Sequence, residues 1–149
     1  MKSKESQMKS IMEMCEQHRI WSDSDGLESE RAKFTGLTFD GLQFTGMVFD
    51  FIDFDGVTMT NCVFSDCSFD GVSGVSADFT GSKFLKCKMT SSEFTDANFT
   101  SCIMNEVDLS YSGIERAKFR NAEMRRVNLF EARLDEIDLL RQIVKSIEF

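Results

Sequence analysis

Proline is absent from this 149-residue chain. Every residue therefore keeps a backbone N–H, and the whole chain can enter hydrogen-bonded ladders. Histidine occurs once, as His18, so a Ser-His or Cys-His nucleophilic pair would have to be built around that one residue. No two cysteines stand at the two-residue spacing of a zinc site, and the four cysteines of the repeat have no histidine partner. No glycine-rich phosphate loop joins a strand to a helix. Apolar runs long enough to span a membrane are missing, and the opening MKSKESQMKS lacks the apolar core of a secretory signal. These absences leave no catalytic residue, cofactor site or metal site to name, and lead us to expect a cytoplasmic protein that does not engage a membrane.

What the chain does have is a period of five. Counting from Phe34 to Leu139 gives 22 slots holding 12 Phe, 4 Met, 4 Leu, Ile114 and one exception, Gly74. Two residues before each slot lies a second, smaller apolar series that runs from Ala32 and Leu37 to Ile137, with only Ser82, Ser92 and Ser112 polar. A helix would scatter such a period around its surface, and a flat strand would alternate it between faces. Residues two apart on an extended chain point the same way, so the small and large residues of one unit share an interior. The two residues that follow must then turn the chain. Each unit is a very short strand plus a corner, and corners of one sense make a coil whose turns bury their apolar rings against their neighbours.

The motif, read as Ala32-Lys33-Phe34-Thr35-Gly36, Ala77-Asp78-Phe79-Thr80-Gly81 and Ala97-Asn98-Phe99-Thr100-Ser101, resembles the pentapeptide-repeat family over residues 32 to about 140. The resemblance implies an all-β solenoid, a right-handed quadrilateral β-helix with four units per coil, and hence about 5.5 coils from 22 units. The expected organisation is a helical cap and lead-in over 1–31, the repeat over 32–139, and a cap or dimerisation helix over 140–149.

A solenoid exposes unpaired strands at both ends unless they are covered. Met8, Ile11, Met12 and Cys15 fall at helical spacing, with Gly26 as a stop. Leu140, Ile143, Val144, Ile147 and Phe149 read as a second helical stripe, and related proteins often pair end to end there, so these five residues are the expected homodimer interface. Cys62, Cys67, Cys87 and Cys102 occupy small inward slots as buried apolar groups. Cys67 and Cys87 would stack, which makes a disulfide sterically conceivable. Gly36, Gly41, Gly46, Gly56, Gly71 and Gly81 hold the second corner position early in the repeat and no later unit does, so early corners are expected to differ from late ones. At Gly74 we expect a void, a bulge or an inward Val75, with Gly74→Phe stabilising a regular backbone.

Residues 32–110 carry 4 Lys/Arg against 11 Asp/Glu, whereas 111–149 carry 8 against 7. A basic surface for nucleic acid is missing from the early coils, so no direct nucleic-acid binding is expected. The leading expectation is a non-catalytic protein–protein interaction scaffold. Taking four faces in the order of Phe34, Phe39, Phe44 and Phe49, outward apolar residues mark Val63, Leu85 and Ile103 on the third face, and Val48, Phe51, Tyr111 and Phe130 on the fourth. The resemblance supplies the alternative, a DNA-mimicking binder of DNA gyrase like the quinolone-resistance members. The acids nevertheless divide among four faces, none of which approaches the density of duplex DNA, about one charge per 1.7 Å.

Overall fold

The computed structural model describes residues 2–137 and the backbone of 143–148. The chain opens with α1, Lys4–Asp23, and then winds as a β-solenoid. Short strands β1 (Thr38–Asp40), β2 (Gln43–Thr45), β3 (Thr58–Thr60), β4 (Val63–Ser65), β5 (Lys83–Leu85), β6 (Ile103–Asn105), β7 (Glu123–Asn128) and β8 (Ile143–Glu148) follow. All pairings are parallel. The third face stacks β2-β4-β5-β6-β7-β8 as one sheet, and β1 and β3 pair on the second. Residues twenty apart oppose one another, from Lys33↔Asp53 through Phe64↔Phe84 to Gly113↔Arg133, so one coil takes four five-residue units.

The large slots from Phe34 to Leu129 are buried, and so is the small series from Leu42 to Val127 apart from the half-exposed Met47. Rings in one column stack: Phe44–Phe64 at 5.1 Å and Phe64–Phe84 at 4.9 Å on the third face, Phe79–Phe99 at 5.4 Å and Phe99–Phe119 at 5.1 Å on the second. Rings on adjacent faces meet edge to face, as Phe64 and Phe69 do at 5.2 Å and 77°. Both arrangements suit the aromatic quadrupole. The three serines that break the small series have a backbone role. The Ser82 hydroxyl donates to the Met59 carbonyl (2.7 Å) and accepts from the Cys62 N–H (3.0 Å), so it sits inside the corner of the preceding coil. Ser92 does the same between Phe69 and Val72, and Ser112 between Met89 and Ser92.

Three expectations are corrected. The corners share one torsion: φ at the second corner position lies between 53° and 72° in all six glycine units and in fifteen non-glycine units, from Phe51 to Glu136. The stack imposes it. The second-corner N–H donates to the first-corner carbonyl of the next coil whether the residue is Gly56 (to Val75, 2.9 Å) or Asp96 (to Glu115, 3.0 Å). Each non-glycine residue so placed costs about 1 kcal/mol of left-handed strain, which the ladder offsets.

At Gly74 there is neither a void nor a bulge. Its N–H keeps the ladder bond to Glu93 (2.7 Å), and the Phe94 ring of the next coil occupies the empty position. A Cβ on Gly74 would stand 2.8 Å from Phe94 Cδ1, so the expected gain from Gly74→Phe is withdrawn.

The C-terminal helix is also corrected. Residues 143–148 form β8 and extend the third-face sheet, with Ile143 opposite Glu123, Val144 opposite Met124 and Ile147 opposite Val127. A short apolar run fits either period, and β7 offers an edge that a strand can pair with and a helix cannot. Leu140 and Phe149 lie outside the described residues, as do the side chains of Ile143, Val144 and Ile147.

Candidate functional site

Helix α1 lies against the first coil. Ser3 caps its N-terminus by accepting from the Ser6 N–H (3.1 Å), and the backbone N–H of Ser24 closes its last turn onto the Ile20 carbonyl. Only Ile11 and His18 of the helix are buried, with Met8, Met14 and Cys15 packed partly against the core. Met12, expected on the inner stripe, is 57% exposed. His18 is fully engaged. Its Nδ1 accepts from the Ala32 N–H (3.1 Å), so the ring proton sits on Nε2, which donates to the Asp50 carbonyl (2.8 Å), while Trp21 stacks on the ring at 5.2 Å. The only histidine of the chain thus ties the helix to the solenoid and has no nitrogen left to act as a base.

Beside this tie runs a groove of about 450 Å³ between the helix and the fourth face of the first coil. Met12 and Cys15 wall it on one side, Met47, Val48 and Phe51 on the other, and Glu16, Arg19, Asp23 and Asp50 edge it. Burial pushes the Cys15 thiol up to about 11, so it contributes as an apolar wall and not as a thiolate nucleophile. Val48 is 62% and Phe51 51% exposed, and the Phe51 ring lies over Gly71, where a Cβ would come within 2.6 Å of two of its carbons.

The fourth face carries a second aromatic cluster, Tyr111 (56% exposed) and Phe130 (46%), with ring centroids 5.7 Å apart. The four fourth-face residues therefore form two patches, three coils or roughly 14 Å apart by rung spacing. A polar ladder separates them: Asp50 accepts from Ser68 and the Asp70 N–H, and Asp70 from Thr90 and Lys88. Burial raises Asp70, but Lys88 and Thr90 outweigh it and hold the carboxyl below its ordinary range. On the third face Leu85 and Ile103 line one small hollow of about 220 Å³ with Asn105, Glu123 and Arg125, and Val63 lies outside it. Sequence reasoning missed Met12 and Met47 as groove walls. The available signal was Met47, the one methionine in the inward series that precedes the large slots.

The acids of the early coils are largely engaged within the rod. Ten of the eleven between residues 32 and 110, all but Asp66, accept a hydrogen bond from another residue. Four of them pair with cations: Asp70 with Lys88, Asp96 with Arg116, Glu106 with Arg126 and Glu93 with Arg133. All five cysteines are free thiols. The hydrogen-bonded Cys67 thiol and burial push the Cys87 thiol up, and burial pushes Cys102 to about 12.

A family model for pentapeptide repeats matches residues 48–84 and 75–110, with eight copies, over the same coils whose twenty-residue register is described above. Over residues 48–110 the chain is built of pentapeptide repeats. Solved structures similar to it include a pentapeptide repeat protein from the Arabidopsis thaliana thylakoid lumen, at 14% identity and TM-score 0.50, over 78% of this chain and 70% of that one. Rfr23 from the cyanobacterium Cyanothece 51142 is similar at 15% identity and TM-score 0.55, over 78% and 90%. Full-length QnrB1, a plasmid-mediated fluoroquinolone resistance protein, aligns at 18% identity and TM-score 0.45, over 70% and 71%. At these identities the likeness is one of fold. No curated protein matches the sequence. Among the described residues, no helix is long and apolar enough to cross a membrane.

Proposed function

We propose that this chain is a non-catalytic scaffold that binds a protein partner along its fourth face. The observation that carries the reading is the exposure of two large aromatic side chains, Phe51 and Tyr111, at outward corners of that face. Both are more than half exposed and both hold positive φ, 63° and 60°, a conformation in which bulky residues are rare. Large apolar side chains kept in water are what a recognition surface presents. Phe51→Ala and Tyr111→Ala should each abolish capture of a defined partner from the source lysate while shifting Tm by less than 3 °C. Retention of the same captured proteins by the double variant would refute the reading. The five free thiols suit a reducing cytosol.

A DNA-mimicking contact with gyrase is the competing reading. The internal pairing of the carboxylates lowers the field that a mimic needs, and it argues for the scaffold. A gyrase supercoiling assay with and without a quinolone separates the two.

A homodimer joined at the C-terminal coil is proposed on the position of β8, the last strand of the six-stranded sheet among the described residues, since a strand at a sheet's edge is a template for pairing with a second copy. Light scattering should give twice the monomer mass at tens of micromolar, and Ile143→Asp with Ile147→Asp should halve it. A monomeric wild type would rule the dimer out.

A further inference from the structure

The groove beside α1 contains an unfinished rung of the solenoid. Along the fourth face, each bridge residue gives both backbone groups to the coil before it. Ser68 donates to Met47 (2.9 Å) and accepts from Phe49 (2.7 Å), Lys88 donates to Cys67 and accepts from Phe69, and Asp108 and Asn128 repeat the pattern. Val48 begins this column. Its N–H and C=O take part in no hydrogen bond among the described residues, and no earlier coil lies beneath it on this face. The cap helix does not fill the place, because the groove of about 450 Å³ opens between Val48 and Met12.

Chemistry around that edge narrows the occupant. A free donor and acceptor on one residue match an extended chain, which can supply a carbonyl and an N–H flanking one of its own residues, as the bridges above do. A helix has already spent those groups on itself. Met12, Met47 and Phe51 would receive the apolar side chains of that segment. Three carboxylates, Glu16, Asp23 and Asp50, edge the groove against one guanidinium, Arg19, which is already shared between Glu16 (2.8 Å) and Asp23 (2.5 Å). Arg31 approaches from the far side of Phe51, where it donates to the Phe51 carbonyl and lines a separate hollow with Asp25. The edge of the groove is net negative.

We propose that this groove docks an extended segment of a partner protein, apolar and basic in alternation, which adds a rung to the fourth face at Val48. The proposal deepens the scaffold reading and rests on it. The probe is a blocked seven-residue peptide alternating valine with lysine, followed by the emission of Trp21, the sole tryptophan, and by exchange of the Val48 amide. Saturable binding is expected, with the Val48 N–H becoming protected. Methylating the central peptide nitrogen, or Val48→Lys in the protein, should weaken binding at least tenfold, Lys118→Ala on the exposed second face should not, and a valine–glutamate peptide should not bind. Equal binding of the N-methylated peptide would overturn the proposal, as would a Val48 amide that stays unprotected, helical circular dichroism of the bound peptide, or no binding at millimolar concentration. If lysate capture depends on Phe51 while the peptides fail, the scaffold reading stands and the added rung falls.

Discussion

Gly74→Phe combined with Phe94→Ala is expected to lose much less stability than the sum of the two single losses. Alone, Gly74→Phe drives a side chain into a Phe94 ring whose nearest carbons stand 2.8 and 2.9 Å from the new Cβ position. Overpacking of this kind costs about 1–3 kcal/mol. Phe94→Ala alone removes a ring that is fully buried between Phe79 and Phe99, at about 3–5 kcal/mol. In the double variant the new ring at 74 enters the volume that the old one left. The ladder bond from Gly74 N–H to Glu93 shows that the backbone there already follows the regular path. A coupling of about 2 kcal/mol is expected from residues in such contact. Four urea titrations measure it, and strict additivity would mean that the two positions do not share one space.

The second large effect is expected at His18→Ala. It leaves the Ala32 N–H and the Asp50 carbonyl without their partners, each at about 1–3 kcal/mol when buried, and it removes one of only two buried side chains that hold α1. The loss should be local. Amide exchange across α1 should accelerate by two orders of magnitude or more while residues 58–129 keep their protection, because each coil is stabilised chiefly by its neighbours. His18→Gln, which can donate but reaches less far, should recover part of the loss. If α1 stays protected in His18→Ala, then Ile11 and the surrounding methionines suffice to dock the helix.

The solenoid was legible in the sequence because one period governs both chemistry and geometry. Every slot from Phe34 to Leu129 turns inward, and a single spacing rule found them all. The corners were not legible, because their torsion follows from bonds to the next coil and not from the residue that occupies them. Lys86 and Ser91 carry the same left-handed φ as Gly46 and Gly71. Gly74 was misread for a related reason: the side chain that fills its space belongs to a residue twenty positions later. At the C-terminus Ile143, Val144 and Ile147 satisfied both periods, and only the presence of β7 decided between them. The groove was half legible. Val48 and Phe51 stood out as apolar residues in outward slots, whereas Met12 was placed on the wrong side of a helix whose apolar stripe is weak.

The twenty-residue register also sets a grammar for insertions and deletions. Removing residues 72–91 takes out one whole coil, brings the Tyr111–Phe130 pair one rung nearer to Val48 and Phe51, and leaves both clusters on one side of the rod. Removing a single unit of five instead rotates everything downstream by a quarter turn and carries that pair to a neighbouring wall. Separation and bearing of the two aromatic clusters are thus controlled by edits of different length. A lineage can stretch or shorten the rod in steps of twenty without re-aiming it, while a slip of five makes a new surface from old residues.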